Sequence, residues 1–329
     1  MSSEATSVAV GAREQVIRAI RAGERFAVVT HENLDGDALG SLVAMQALLR
    51  ALGKDAVIVI APEEFPLPPE YRFFALDGLA TQAPEDLDAR TTIFLDCGNL
   101  DRNPLAAMRE AEPLINIDHH HDNTRFGTIN HVVEEASCTA EIVWDLIHGL
   151  GVAISPPVAE ALYVGLVTDT GRFSYESTTP RAHLMAAELI GAGVDVGRLY
   201  RQIYEGIPFA KLGLMARALA SARHFDDDQM TVAVLTGEDF TATGADDSYA
   251  EGIVDYLRSV RDTKVAALIR EVSAGERAGA HKVSLRASDD DVDVSAIARA
   301  FGGGGHRRAA GFTSDLSVGE LIDAIRAQV

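Results

Sequence analysis

Asp118-His119-His120-His121 follows directly on the short apolar run Leu114-Ile115-Asn116-Ile117. One acid beside three imidazoles can hold a metal ion, relay a proton or tie a buried polar knot. Which of these applies depends on what else the chain brings to the same place. His31, Asp35 and Asp37 share one short loop, Asp96 closes the run Thr91-Thr92-Ile93-Phe94-Leu95, and Asp169 precedes Thr170-Gly171-Arg172 after an apolar stretch. Each acid has a plainer use when taken alone. Asp35-Gly36-Asp37 before a helix is simplest as a turn with Asp37 as N-cap, and acids at other strand ends cap helices equally well. Crowded carboxylates are costly unless cations or hydrogen-bond donors offset them. Four such places at once point to a single site of about four carboxylates and two or more histidines, on cap preferences that would have to coincide at every one.

Carboxylate and imidazole ligands without sulfur suit Mn²⁺, and less well Mg²⁺, Zn²⁺ or Fe²⁺. Six ligands exceed what one ion takes from protein when a position stays open to water. Two ions about 3.5 to 4 Å apart are the better count, acidifying a bridging water while holding the attacked and leaving oxygens of a phosphoryl group. The chemistry implied is hydrolysis of a phosphoester or phosphoanhydride.

The elements that must position these groups are strands and helices in alternation. Phe26 to Thr30, Ala56 to Ile60, Thr91 to Leu95 and Leu114 to Ile117 read as buried strands, too short and too continuously apolar for helices. Glu14 to Arg21, Ala38 to Leu52 and Asn103 to Glu112 read as helices, the second stopped by Gly53. Such alternation predicts a mostly parallel sheet flanked by helices, with catalytic groups at the carboxyl ends of its strands. Helices follow at Ala140 to Leu150, Pro157 to Thr168 and Thr179 to Gly191. Val196 to Tyr204 and Pro208 to His224 read as connecting helices broken at Gly206-Ile207-Pro208. Thereafter strand candidates (Gln229 to Leu235, Val265 to Glu271, Lys282 to Arg286, Ala310 to Thr313) alternate with helices (Gly252 to Val260, Val294 to Phe301, Val318 to Ala327). The expected class is α/β, with a catalytic domain over 1–195, a helical linker over 196–225 and a smaller α/β domain over 226–329.

The chain has 29 Lys plus Arg against 49 Asp plus Glu, a formal charge of −20, which disfavours long duplex nucleic acid but leaves room for a small anionic substrate held by metal or local arginines. Two cysteines, Cys97 and Cys138, give no disulfide framework and no thiolate metal site, and a reducing cytoplasm is expected. Residues 1–12 lack a basic start and an apolar core, and no apolar run of about 18 residues occurs. No membrane partner is expected.

The ordered set Thr30-His31, Asp35-Gly36-Asp37-Ala38-Leu39-Gly40-Ser41, Asp96, Asp118-His119-His120 and Asp169 resembles the motifs of the DHH phosphoesterase family. Gly302-Gly303-Gly304-Gly305-His306, continuing through Ala309-Ala310-Gly311, is similar to the glycine-rich signature of the DHH-associated C-terminal domain. The resemblance runs from Phe26 to Gly311 and is greatest to the bacterial oligoribonuclease (nanoRNase) and 3′-phosphoadenosine-5′-phosphate phosphatase group. It implies that His31 and Asp35 hold one manganese ion, that Asp37, His119 and Asp169 hold the other, and that Asp96 bridges them. It also implies that His120 faces the scissile phosphate and that Asp118 orients its neighbours, while His121 matches no family role.

Gly302 to Gly305 alone reads as a helix stop and flexible turn; in the light of the resemblance, Gly303, Gly304, Gly305 and His306 become a phosphate cradle. Arg286, Arg258 and Arg270 occupy places similar to family positions for substrate contacts, Arg286 the foremost. The division of labour implied is cleavage by the first domain and grip by the second. The expected substrates are very short RNA, released as mononucleotides, and 3′-phosphoadenosine 5′-phosphate. Cyclic or linear dinucleotide signals are the alternative, and a non-catalytic nucleotide sensor is more remote. A homodimer through the helices between Ala140 and Ala192 is compatible with the same residues.

Overall fold

The computed structural model describes residues 3–227, 229–272, 277–288 and 291–329, with the side chains of 3–10 and of His306 outside the described set. The chain divides into two compact units, Met1–Glu205 and Gly206–Val329.

In the first unit, α1 (Ser3–Ala22) leads into β1 (Arg25–Val29), α2 (Gly36–Ala51), β2 (Asp55–Val59), β3 (Leu79–Ala80) and β4 (Thr91–Leu95). The short α3 (Ala106–Arg109), β5 (Leu114–Asp118) and β6 (Ile129–Val132) follow, then α4 (Thr139–Leu150), α5 (Pro156–Asp169), α6 (Pro180–Gly191) and α7 (Val196–Tyr204). All six strands are parallel, in the order β3-β2-β1-β4-β5-β6. The chain adds strands on one side of β1, then jumps to its other side with β4. That reversal opens a crevice outside the carboxyl ends of β1 and β4, where doubly wound sheets bind ligands. β1, β4 and β5 are covered on both faces, so their sequences are continuous apolar runs. Val28, Leu39, Leu95 and Ile117 join the core on one face; Val29, Phe94, Cys97 and Leu114 pack on the other.

α2 and α5 lie unusually close. A Cβ on Gly40 would stand 2.3 Å from the Ala161 carbonyl, and one on Gly165 would stand 2.7 Å from Asp37 Oδ1 and from Ala140 Cβ. These two glycines let the helix carrying Asp37 and the helix ending in Asp169 approach the same point.

In the second unit, α8 (Phe209–Ser221), β7 (Arg223–Phe225), β8 (Met230–Leu235), α9 (Gly237–Thr243), α10 (Ile253–Arg258), β9 (Val265–Glu271) and β10 (His281–Ala287) precede α11 (Val294–Ala300), β11 (Gly304–His306), β12 (Ala309–Ser314) and α12 (Val318–Arg326). The sheet runs β11-β12-β10-β9-β8-β7 and is antiparallel except for β8 with β9.

Several sequence expectations need correction. The crossover helix expected over Asn103 to Glu112 is one turn, Ala106–Arg109, and Pro113 follows a cis bond after Glu112. The edge strands β3 and β6 were unexpected: β3 has two residues, and β6 carries polar Asn130 and His131 within its four. α9 was also missed, although Thr236 and Asp239 form a capping box at its start. The stretch 196–225 is not a separate linker, since α7 belongs to the first unit and α8 to the second. Among the described residues no helix is long and apolar enough to cross a membrane.

Candidate metal centre

Asp35, not Asp37, is the N-cap of α2: its Oδ1 accepts from the Ala38 N–H at 2.9 Å. Asp37 is therefore available for other partners, and it is 1% exposed. Its two oxygens take the N–H groups of Thr139 (2.6 Å) and Ala140 (2.9 Å) at the start of α4, and the Ser41 hydroxyl donates at 3.3 Å. A helix N-terminus is a natural seat for a carboxylate. Asp96, 2% exposed, follows β4 with φ +55, a left-handed conformation that Asp tolerates better than most residues and that turns its side chain across the strand ends. The Thr139 hydroxyl donates to Asp96 Oδ1 at 3.1 Å.

Around Asp96 the histidines are arranged in one repeated way. His31 Nδ1 lies 2.5 Å from the Glu32 carbonyl, so this nitrogen carries the proton, and Nε2 faces Asp96 Oδ2 at 3.5 Å and Asp35 Oδ2 at 3.8 Å. His119 Nδ1 likewise meets the Ala136 carbonyl at 3.3 Å, and its Nε2 faces Asp96 Oδ1 at 3.6 Å and Asp169 Oδ2 at 3.4 Å. A backbone carbonyl that fixes the tautomer and a lone pair aimed at carboxylates are what a metal-ligating histidine needs. Two triads result, His31-Asp35-Asp96 and Asp37-His119-Asp169, each with ligand atoms within 4.8 Å of one another, and Asp96 also groups with His119 and His120. The two oxygens of Asp96 face opposite triads.

His120 is different. Its Nδ1 lies 2.7 Å from Asp118 Oδ1, and Asn123 Nδ2 donates to Asp118 Oδ2 at 2.5 Å. Asp118, fully buried, belongs to none of the triads and stands behind His120. His121 is exposed.

Electrostatics without a cation shows the tension in the site. Burial and the carboxylates of Asp96 and Asp169 push Asp37 well above the usual range. Burial does the same to Asp169, against the pull of His119, and brings it to about 7. Burial opposes a charge on His119, yet Asp169, Asp96 and Asp37 together raise the imidazole to about 9. Asp96, although desolvated, is held far below the ordinary carboxylate range by His31, His120 and His119. Protons are thus drawn to the places a cation would fill. Carboxylate oxygens and imidazole nitrogens converging in a partly buried cluster fit hard or borderline divalent ions.

In the second unit, the candidate substrate residues are partly engaged within the unit itself. Arg286 Nε lies 3.3 Å from Asp255 Oδ1, and Arg258 Nε lies 3.6 Å from the same oxygen. Arg270 is buried, donates to the Asp247 carbonyl at 2.8 Å and is ion-paired with the Asp247 side chain, so it is poorly placed to grip a ligand. The glycine run is not a loose nest. Gly304 and Gly305 pair with Gly311 and Ala310 in β11, and a Cβ on Gly303 would stand 2.2 Å from the Gly311 carbonyl, so close strand packing itself demands glycine there. The His306 side chain lies outside the described residues.

A cavity of about 300 Å³ bounded by Arg13, His131, Glu141, Asp145 and Arg181 lies apart from the triads. Its arginines are already paired, Arg13 with Asp145 and Arg181 with Glu141 and Asp145, so we place the chemistry at the triads.

Residues 25–166 match the DHH family N-terminal domain, and residues 227–329 match the DHHA1 domain. The chain is 32% identical over 319 residues to the bifunctional oligoribonuclease and PAP phosphatase NrnA of Thermus thermophilus, covering 92% of this chain and 89% of that protein. The chain belongs to the DHH family. It is 26% identical to the protein of the same name from Bacillus subtilis, covering 91% and 92% of the two chains. The crystal structure of an exopolyphosphatase-related protein from Bacteroides fragilis superposes with a TM-score of 0.85 at 25% identity, covering 97% of this chain and 95% of that one. The protein is accordingly a phosphoesterase, a hydrolase of phosphoester bonds.

Sequence reading missed the residues that hold the ligands. Thr139 and Asn123 do this, but a hydroxyl and an amide are too common to stand out. Thr139 becomes visible only when the N-terminus of α4 is seen to meet Asp37, across roughly a hundred residues of chain.

Proposed function

We propose that this DHH phosphoesterase hydrolyses short oligoribonucleotides to mononucleotides and removes the 3′-phosphate of 3′-phosphoadenosine 5′-phosphate, using two divalent cations, most naturally Mn²⁺. The observation that carries the reading is the pair of triads sharing Asp96, in a chain similar along nearly its whole length to proteins named for these two activities. His31 and Asp35 would hold one cation, Asp37, His119 and Asp169 the other, with Asp96 between them. When bound, such ions polarise the phosphoryl oxygens and acidify a water.

The chain's own residues set up the rest. Asp37 is pinned by the N-terminus of α4, and Thr139 fixes Asp96, so the donor atoms are placed before any substrate arrives. His120, whose positive charge is favoured by its bond to Asp118 despite burial, stands beside Asp96 to supply a proton to the leaving oxygen. Asp118 and Asn123 are positioning residues behind it. For the second unit, Arg286 is the foremost candidate to bind the nucleotide's far phosphate, with Arg258, Gly303, Gly304, Gly305 and His306 as further contacts. Planar guanidinium suits a phosphate with two parallel bonds. Cys97 and Cys138 are both free thiols and buried, which accords with a cytoplasmic protein.

The test is a length series of 5′-phosphorylated RNAs from dinucleotide upward, with 3′-phosphoadenosine 5′-phosphate and a cyclic dinucleotide in parallel, in Mn²⁺ and then in chelator. The proposal expects mononucleotides and adenosine monophosphate, kcat/KM falling with length, and no turnover in chelator. Preference for the cyclic substrate by more than about tenfold, or chelator-resistant cleavage, overturns it.

A further inference from the structure

Arg102 ends a single turn, Leu100–Arg102, that follows Asp96. The turn is fastened to both residues flanking His31: the Glu32 N–H donates to the Arg102 carbonyl at 2.8 Å, and Asn103 Nδ2 donates to the Thr30 carbonyl at 2.7 Å. The guanidinium is thereby set against a metal-ligand candidate, with Nη2 3.2 Å from His31 Nδ1. That contact is not a hydrogen bond. The Glu32 carbonyl, 2.5 Å from the same nitrogen, can only accept, so Nδ1 bears the proton, and two donors face each other.

Nor does Arg102 have an acid. Among the described residues no carboxylate pairs with it, in a chain where acids outnumber bases 49 to 29 and where Arg13, Arg90, Arg181 and Arg198 are all paired. A half-buried cation beside His31 repels the very ions the triads attract. Such an arrangement is offset when an anion lies against both the ions and the guanidinium.

We propose that Arg102 is a substrate-contacting residue that takes a non-bridging oxygen of the phosphoryl group. It lies beyond His31, beside the Nδ1 edge of the ring whose Nε2 faces Asp96 Oδ2, while His120 stands on the Asp96 Oδ1 side, so positive charge flanks the site from two directions. Its forked donors suit the three equatorial oxygens of a phosphoryl group better than a lysine would. The inference rests on the metal-hydrolase reading of the triads.

Arg102→Gln and Arg102→Lys are compared with wild type on a diribonucleotide and on bis(p-nitrophenyl) phosphate, with Mn²⁺ affinity and inorganic phosphate affinity of the Mn²⁺-loaded protein measured by calorimetry. Arg102→Gln is expected to lower kcat/KM about 100-fold on both substrates and weaken phosphate binding about tenfold or more, with Mn²⁺ affinity unchanged or tighter and partial recovery in Arg102→Lys. Phosphate binding and kcat/KM within about twofold of wild type overturn the proposal. So does a tenfold loss of Mn²⁺ affinity, on the order of 1.4 kcal/mol, because Arg102 would then act only by positioning His31. If wild type turns over neither substrate, the proposed function fails, while the phosphate titration still decides the role of Arg102.

Discussion

The two ends of the first sheet handle charge in opposite ways. At the amino ends of β1, β2 and β4, Arg90 donates to Asp86 and Asp55 at 2.8 Å each and to the Phe26 carbonyl at 3.2 Å, while Arg25 donates to Asp86 at 2.7 Å. Two bases meet two acids and every contact is a donor facing an acceptor. At the carboxyl ends, Asp35, Asp37, Asp96 and Asp169 converge with His31 and His119, and the short distances between ligand atoms are acceptor against acceptor. One end is complete as it stands. The other is satisfied only by protons or by cations, and that incompleteness, not the abundance of acid, marks the functional end.

The contrast is broken most sharply by exchanging the consequences of two substitutions. Asp169→Asn is expected to lower kcat/KM by at least about 1,000-fold while leaving the cation-free protein about as stable as wild type, since burial and the neighbouring carboxylates already oppose the charge on Asp169. Arg90→Met is expected to do the reverse, costing about 1 to 3 kcal/mol in denaturant unfolding with kcat/KM within about twofold, because it leaves Asp55, itself half-exposed, and Asp86 without their shared donor. Stability loss in the first or activity loss in the second counts against the division.

A smaller effect is expected with pH. In the cation-free protein Asp169 titrates near 7 and His119 near 9, both above their unfolded values, so the folded state holds more protons than the unfolded one. Stability contributed by the His119 charge is present below its unfolded value and is lost as pH rises through about 9. Ionising Asp169 works the same way, since its carboxyl is easier to charge when unfolded. The melting temperature of the chelated protein should therefore drop by several degrees between about pH 6.5 and 9, while the Mn²⁺-loaded protein stays nearly level. A flat profile in chelator contradicts the convergence of the acids.

How far the sequence alone reaches is instructive here. Buried parallel strands announce themselves as uninterrupted apolar runs, so β1, β4 and β5 and the acids just beyond them are legible. The edge strand β3 has two residues, and β6 interleaves Asn130 and His131, so neither carries that signal. The positions of His31, Asp37, Asp96, His119 and Asp169 are visible as motifs, but their convergence depends on the jump from β2 and β3 back to β4 beside β1, and on Gly40 and Gly165 letting α2 and α5 close together. A cap at Asp37 was the simpler local reading. It gave way because Asp35 satisfies Ala38 and α4, distant in sequence, claims Asp37. In the second unit the glycine run reads as a ligand cradle, and two of its members, Gly303 and Gly305, are also required by the β11–β12 packing, a use that local sequence cannot distinguish from the first.

The central claim is that the carboxyl end of the sheet is a two-cation centre built around Asp96. Its most direct test is calorimetric titration of Mn²⁺ into chelator-treated, dialysed protein near pH 7.5. The account predicts two ions per chain, with protons released on binding because Asp169 and His119 hold them beforehand, and loss of at least one ion in Asp96→Asn. Absence of binding, or a stoichiometry and proton release that Asp96→Asn leaves unchanged, contradicts it.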